Sequence, residues 1–289
     1  MKRLSIVTLV IFMFFSGGGY AQKVGKSIQL LDRKLRKFET WMCVPHASVS
    51  GLPEGTYQSE NVHDGEPMGL NNDVKDVFSV IREDGELVLK VSGEIYGGLT
   101  TKAEYANYHL SMWQKWGDKK WPPRENALRD SGILYHCYGP HAAFWEVWKY
   151  CLEFQVQETD LADFIGLGSE ADVKGIVKEE NGKNRKWYDP TADSYLKPGG
   201  LIQASKELDA PHGEWNHLEL YVVGDRAIHV VNGQIVNVLE NTRKPDGTTL
   251  RSGQIQIQSE AAEVYYKEIV LTPISEFPVE IISQVRFEN

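Results

Sequence analysis

The chain is poor in cysteine and in long apolar runs, and it has no basic excess. Its 289 residues include three cysteines, Cys43, Cys137 and Cys151. Three are too few for a disulfide scaffold, and no Cys/His spacing of metal-binding type occurs. Cys137 and Cys151 could meet across a hairpin, with Cys43 left over, or all three could be buried thiols. Lys and Arg total 31 against 40 Asp and Glu, for a net charge of −9. That balance points away from nucleic acid and from anionic membrane surfaces. The one apolar run, Ile6 to Phe15, is too short to cross a bilayer, so no membrane span is expected. Lys2-Arg3 precede it and Gly19-Tyr20-Ala21 follow, which reads as a signal peptide over 1–21 cut before Gln22, hence a secreted or periplasmic protein. Helical periodicity is scarce too. It is confined to Ile28, Leu31, Leu35 and Phe38, so 22–77 is expected as a short helix plus an extended Gly/Pro/Asn/Asp-rich loop packed on the main domain. A loop of that length is expected to cover one end of a groove.

What the chain does have is alternation. Phe78–Ile81 and Leu87–Val91 flank Glu83-Asp84-Gly85, and Ala227–Val231 and Ile235–Leu239 flank Asn232-Gly233, both hairpin signatures. Trp215–Val222, Gly253–Glu260 and Val264–Leu271 read as further strands. Residues 168–200 are a polar excursion with room for one short strand. Such a series predicts an all-β, two-sheet antiparallel jelly-roll sandwich over 78–289.

The segment from Tyr105 to Gly166 carries the chemistry. In Cys151–Glu158, Leu152, Phe154 and Val156 share one face while Glu153, Gln155 and Gln157 share the other. Glu and Gln are poor strand formers, so this polar face is either open to water or the floor of a groove that grips a polyhydroxylated ligand. Tryptophans at 113, 116, 121, 145 and 148 favour the groove by offering flat apolar walls.

Tyr105–Leu110, Lys115–Trp121, Arg129–His136 and Glu153–Glu158, together with Trp215–Glu219, Val231–Gly233 and Gly253–Glu260, resemble the 3-keto-disaccharide hydrolase domain family over roughly residues 75–273. The resemblance implies a concanavalin A-like jelly roll with its site on the concave sheet. It also implies an exported protein of the Bacteroidetes type, working beside an oxidoreductase that oxidises a sugar 3-hydroxyl, and cleavage of 3-keto-glycosides by elimination across C1 and C2.

That chemistry needs a base at C2, a donor or metal at the C3 oxygen and an acid for the leaving oxygen. Glu153 is expected as the base, or as a carboxylate that only binds hydroxyls. His136 is expected as acid or ketone polariser, or as a structural histidine. Arg129 is expected to stabilise the enolate, with Asp130 beside it in a binding role, unless the two only hold the 117–130 insertion. Gln155, Gln157, Gln258 and Glu260 are expected to bind substrate, and Lys115, Trp116 and Trp145 to wall the subsites or, for the tryptophans, to pack in the core. No cofactor is required. A divalent metal on His136, Glu153 and Gln157 is possible, but the pattern is no motif. The strand lacks the E-x-D-x-x-E pattern of many retaining sandwich hydrolases, which leaves a conventional glycosidase or a non-catalytic sugar binder as rivals.

Overall fold

A computed structural model describes residues 25–288, so the expected leader lies outside the described residues. In chain order the described strands are β1 (Ile28–Gln29), β2 (Phe38–Met42), β3 (Gly69–Leu70), β4 (Phe78–Glu83), β5 (Glu86–Val91), β6 (Gly97–Thr101), β7 (Tyr108–Lys120), β8 (Asp130–Tyr138), β9 (Tyr150–Gln157), β10 (Phe164–Leu167), β11 (Glu170–Asp172), β12 (Gly175–Glu180), β13 (Lys183–Tyr188), β14 (Leu201–Gln203), β15 (Asn216–Val223), β16 (Arg226–Val231), β17 (Gln234–Arg243), β18 (Gln254–Ser259) and β19 (Ala262–Pro273). One short helix, α1 (Val279–Ile282), follows.

They form two sheets, β11-β17-β16-β15-β7-β19-β5-β4 with β1 on β19, and β12-β13-β14-β10-β9-β8-β18-β6-β2-β3. The expected all-β sandwich is what the chain builds. Alternation turns Leu110, Met112, Leu218 and Leu220 of the first sheet and Ile133, Leu152, Phe154, Val156, Ile255 and Ile257 of the second into one shared core. Each such side chain contributes roughly 1.5–3 kcal/mol by leaving water. Both hairpins form as expected. Asp84 and Gly85 (φ 48° and 87°) and Asn232 and Gly233 (φ 49° and 77°) supply the paired positive φ angles of tight primed turns.

The described part of the N-terminal segment differs from expectation. No helix lies over 25–39; Ile28 and Gln29 pair with Leu271 and Val270, and Phe38–Met42 pairs with Thr101–Gly97. A short helix is marginal in water, whereas extended chain hydrogen-bonds to β19 and β6 and still buries Leu30, Leu31 and Phe38. The segment before residue 78 thus adds strands to both sheets. The 168–200 excursion holds β11, β12 and β13 rather than one strand. All three cysteines are free and buried.

His136 is a second correction. A bulge between Tyr135 and Tyr138 shifts the register of β8 against β9, and His136 sits in it at φ 52°. The extra residue turns the imidazole into the interior, 1 % exposed, edge-on to Tyr108 at 6.2 Å and Tyr135 at 5.7 Å. Neither ring nitrogen has a side-chain partner, and burial pushes the group down to about 4. His229, treated as structural from its sequence setting, is also fully buried and pushed down to about 4, but the Tyr135 hydroxyl and the Ala162 carbonyl meet its two nitrogens. An unfolded histidine titrates near 6.5, so between roughly pH 6.5 and 4 the unfolded chain binds protons that the fold refuses, and stability falls on acidification. His136→Phe should therefore lose less Tm than the native protein between pH 7 and pH 4.5 in thermal melts; an unchanged difference would place the acid sensitivity elsewhere.

Candidate active site

The polar phase of β9 forms a floor with its neighbours. In register, Asp130, Gly132 and Leu134 of β8 lie opposite Gln157, Gln155 and Glu153 of β9, while on the far side of β8 the bridge Asp130–Glu260 brings in the end of β18. Glycines make the floor a trough. A Cβ on Gly132 would lie 2.3 Å from Glu153 Oε1 and 2.5 Å from Gln258 Oε1, and one on Gly98 would lie 2.3 Å from Gln256 Nε2. The absent side chains are the space into which the carboxyl and amide groups fold.

Arg124, from the insertion before β8, reaches over this floor. Its guanidinium lies 2.6 Å from Asp130 Oδ2, 3.5 Å from Glu260 Oε1 and 3.3 Å from Gln157 Oε1. Gln155 donates to the other Asp130 oxygen at 3.1 Å. Arg124 Nε, Gln155 Oε1 and Gln258 Oε1 are buried without protein partners, so their hydrogen bonds fall to water or ligand.

The loop between β8 and β9 folds onto the same face. It inserts Val147 and Trp148 into a second apolar cluster with Cys43, Tyr96, Leu134, Cys137 and Cys151. Between loop and floor lies a cavity of about 620 Å³, lined by His63, Tyr96, Pro123, Arg124, Trp145, Glu146, Trp148 and Glu260. This is within the size range of small-ligand sites. Tyr96 and Trp148 stack at 6.2 Å, and Trp145 is 63 % exposed at the mouth. His63 brings the long loop before β4 to the cavity.

One cation meets two of three buried carboxyl groups, and all three have raised proton affinities. Burial pushes Asp130 up to about 6 despite the adjacent Arg124. Burial, then the Asp130 charge, pushes Glu260 up to about 8, again against the pull of Arg124. Glu153 goes well above the carboxylate range through burial and then the charges of Glu260 and Asp130.

Glu153, Asp130, Gln155, Gln157, Gln258 and Glu260 are thus brought together, and Trp145 stands at the cavity. Four expected site residues are elsewhere. His136 is in the core, so the suggested His136, Glu153 and Gln157 metal cluster is not assembled. Arg129 is held by Glu158 at 2.6 Å and by the Gly117 and Asp118 carbonyls, which is the ion pair that secures the insertion. Lys115 lies on the outer face of the first sheet, paired with Glu83 and 4.6 Å from the Trp215 ring. Trp116, one residue on, turns inward and packs in the sandwich core. Sequence reasoning missed Arg124, Tyr96 and His63. The signal available for Arg124 was an arginine in a proline-marked insertion next to the polar strand; Tyr96 and His63 carried none.

Residues 54–272 match the 3-keto-alpha-glucoside-1,2-lyase-like domain. The chain belongs to this family. As a member it is a carbohydrate-active or carbohydrate-binding jelly-roll protein. No curated protein matches the sequence. Among solved structures, a Parabacteroides distasonis protein to which glycosyl hydrolase activity is ascribed is 19 % identical, with 68 % of this chain and 83 % of that one covered and a TM-score of 0.42. A carbohydrate-binding module from Bacillus subtilis is 11 % identical, covering 66 % and 89 % at TM-score 0.38. LamAcat from Zobellia galactanivorans is 11 % identical, covering 86 % and 97 % at TM-score 0.42. Likeness at this level says nothing about chemistry, and the fold stands on the strand order above.

The trough makes a direct prediction. Gly132→Ala should push Glu153 and Gln258 apart and destabilise the protein by about 1–3 kcal/mol in denaturant titrations. A change within experimental error would mean that the floor is not packed as described.

Proposed function

We propose that this family member is an exported enzyme that cleaves 3-keto-glycosides by removing the C2 proton and expelling the C1 substituent. The observation that carries this reading is Arg124 beside Glu260 at an aromatic-walled cavity. A ketone at C3 acidifies C2–H, and loss of that proton places negative charge on the C3 oxygen. A guanidinium cannot lose its charge and offers donors in a fixed fork, so Arg124 suits that oxygen. Glu260 lines the cavity with its proton affinity raised to about 8, which makes it the stronger base when ionised. The electron pair of the C2–H bond becomes the C1=C2 bond as C1–O breaks.

Glu153, the base expected from sequence, is 3 % exposed behind the lining residues and favours its protonated form. In this reading it positions Gln258 and Glu260. Tyr96, Trp145 and Trp148 offer faces to the sugar's C–H groups, while Gln155, Gln258 and Asp130 lie buried beneath the lining residues and support them. The ketone has to come from an oxidoreductase acting on a sugar 3-hydroxyl.

A conventional glycosidase needs two carboxyl groups flanking the bond. Here Gln155 stands where the single-strand pattern of retaining sandwich hydrolases has its aspartate, and Glu158 is paired with Arg129, which supports elimination over displacement at C1.

The test is incubation in deuterated water with a 4-nitrophenyl glucoside and its 3-keto derivative. Release from the keto form alone is expected, giving a product unsaturated between C1 and C2 that takes up deuterium at C2 when water adds across it; equal cleavage of the unmodified glucoside overturns elimination, and binding without release leaves a sugar-binding module. Glu260→Gln should lower kcat/KM by roughly 10²–10⁴-fold, while Glu153→Gln, which replaces a protonated carboxyl with a neutral isostere, should cost less than about tenfold. The opposite order would return the base role to Glu153. Because the base acts ionised, kcat/KM for the 4-nitrophenyl 3-keto-glucoside, whose phenoxide leaves without an acid, should rise with pH through about 8.

A further inference from the structure

The floor and the insertion over it provide a base and a fixed cation, but no group suited to protonate the oxygen that leaves C1. Arg124 does not give up its proton, and Asp130, Glu153 and Glu260 are gathered on the base side of the cavity. The remaining lining residues come from loops. Of these, His63 carries an imidazole, a group that can hold and give up a proton.

The His63 ring is held from three sides. Val62 anchors the chain beneath it, 3 % exposed in the cluster with Tyr96 and Trp148. Its backbone N–H donates to Asn61 Oδ1 at 3.1 Å. Its Nδ1 lies 3.1 Å from the Trp145 carbonyl, and the ring meets Tyr96 edge-on at 5.9 Å and 89°. A carbonyl only accepts, so Nδ1 carries a hydrogen, and proton exchange is left to Nε2, which has no hydrogen-bond partner among the described residues. The Nδ1 contact therefore orients the ring with one nitrogen committed to protein and the other available at the cavity. The contact also ties the long loop before β4 to the loop between β8 and β9, so both walls of the mouth are held by the residue that would meet the leaving group.

We propose that His63 is the general acid, donating from Nε2 to the C1 oxygen as it departs. The assignment rests on the elimination reading. In the full step Glu260 takes the C2 proton, C1=C2 forms, C1–O breaks and Nε2–H protonates the leaving oxygen. The products are a free alcohol and an unsaturated 3-keto sugar, with Glu260 left protonated and the imidazole neutral.

Leaving-group dependence tests this. An alkyl oxide needs the acid, whereas 4-nitrophenoxide largely does not. His63→Gln should lower turnover of a methyl 3-keto-glucoside by roughly 10²-fold and of the 4-nitrophenyl 3-keto-glucoside far less, with C2 deuterium exchange retained. Glu260→Gln, measured in parallel, should lower both substrates and abolish exchange. His63 is exposed, so the variant should fold with the native Tm, which a thermal melt checks. Equal losses on both substrates, or no loss on either, would overturn the acid role, as would the same leaving-group signature in Glu146→Gln in place of His63→Gln. A native protein inactive on both keto substrates would overturn the elimination reading and the acid role together.

Discussion

The arrangement depends on burying three carboxyl groups around one guanidinium. Asp130 and Glu260 contact Arg124 directly, and Glu153 lies beneath within reach of their charge. A single positive charge cannot balance three negative ones in a buried setting, so the cluster retains protons that exposed carboxylates would have lost. Removing the guanidinium would leave uncompensated charge, the costly outcome for any buried ionic group. The fold accepts the arrangement because Gly98 and Gly132 open a trough in the sheet and glutamine amides line it.

The site is a consequence of pleating. One phase of β8, β9 and β18 fills the space between the sheets, and the other phase has no second sheet to cover it. The β8–β9 loop and the loop before β4 cover that second face in part. One end becomes an apolar cluster containing the three thiols, and the other stays open as the cavity. A single strand thus carries Phe154 into the core and Glu153 into the site. Strands and the turn after β18 hold the carboxyl groups that meet Arg124, and loops bring the aromatic walls and His63.

The polar phase was legible in the sequence because it breaks a propensity rule. Glu153, Gln155 and Gln157, with Gln258 and Glu260, sit at alternate positions in strands that would otherwise favour β-branched residues, and the structure places all five on one face. The residues misplaced from sequence failed for identifiable reasons. His136 keeps the expected strand but sits in a bulge, which shifts the phase without any mark in the local pattern. Lys115 and Trp116 lie on β7, a strand of the other sheet, and nothing local to 115–116 says which sheet that is. Arg129 was separated from Arg124 only by partner choice, Glu158 against Asp130 and Glu260.

Sequence alone determined the alternation of the strands, the two tight turns and the polar phase of the central strands, because each is set by a residue's own geometry or its neighbours two positions away. Tertiary structure decided which strands share a sheet, how Arg124 rather than Arg129 meets the carboxyl groups, and that His63 and Tyr96 reach the same cavity. Those contacts join residues from distant parts of the chain, and a pattern of period two carries no information about distances that only packing sets.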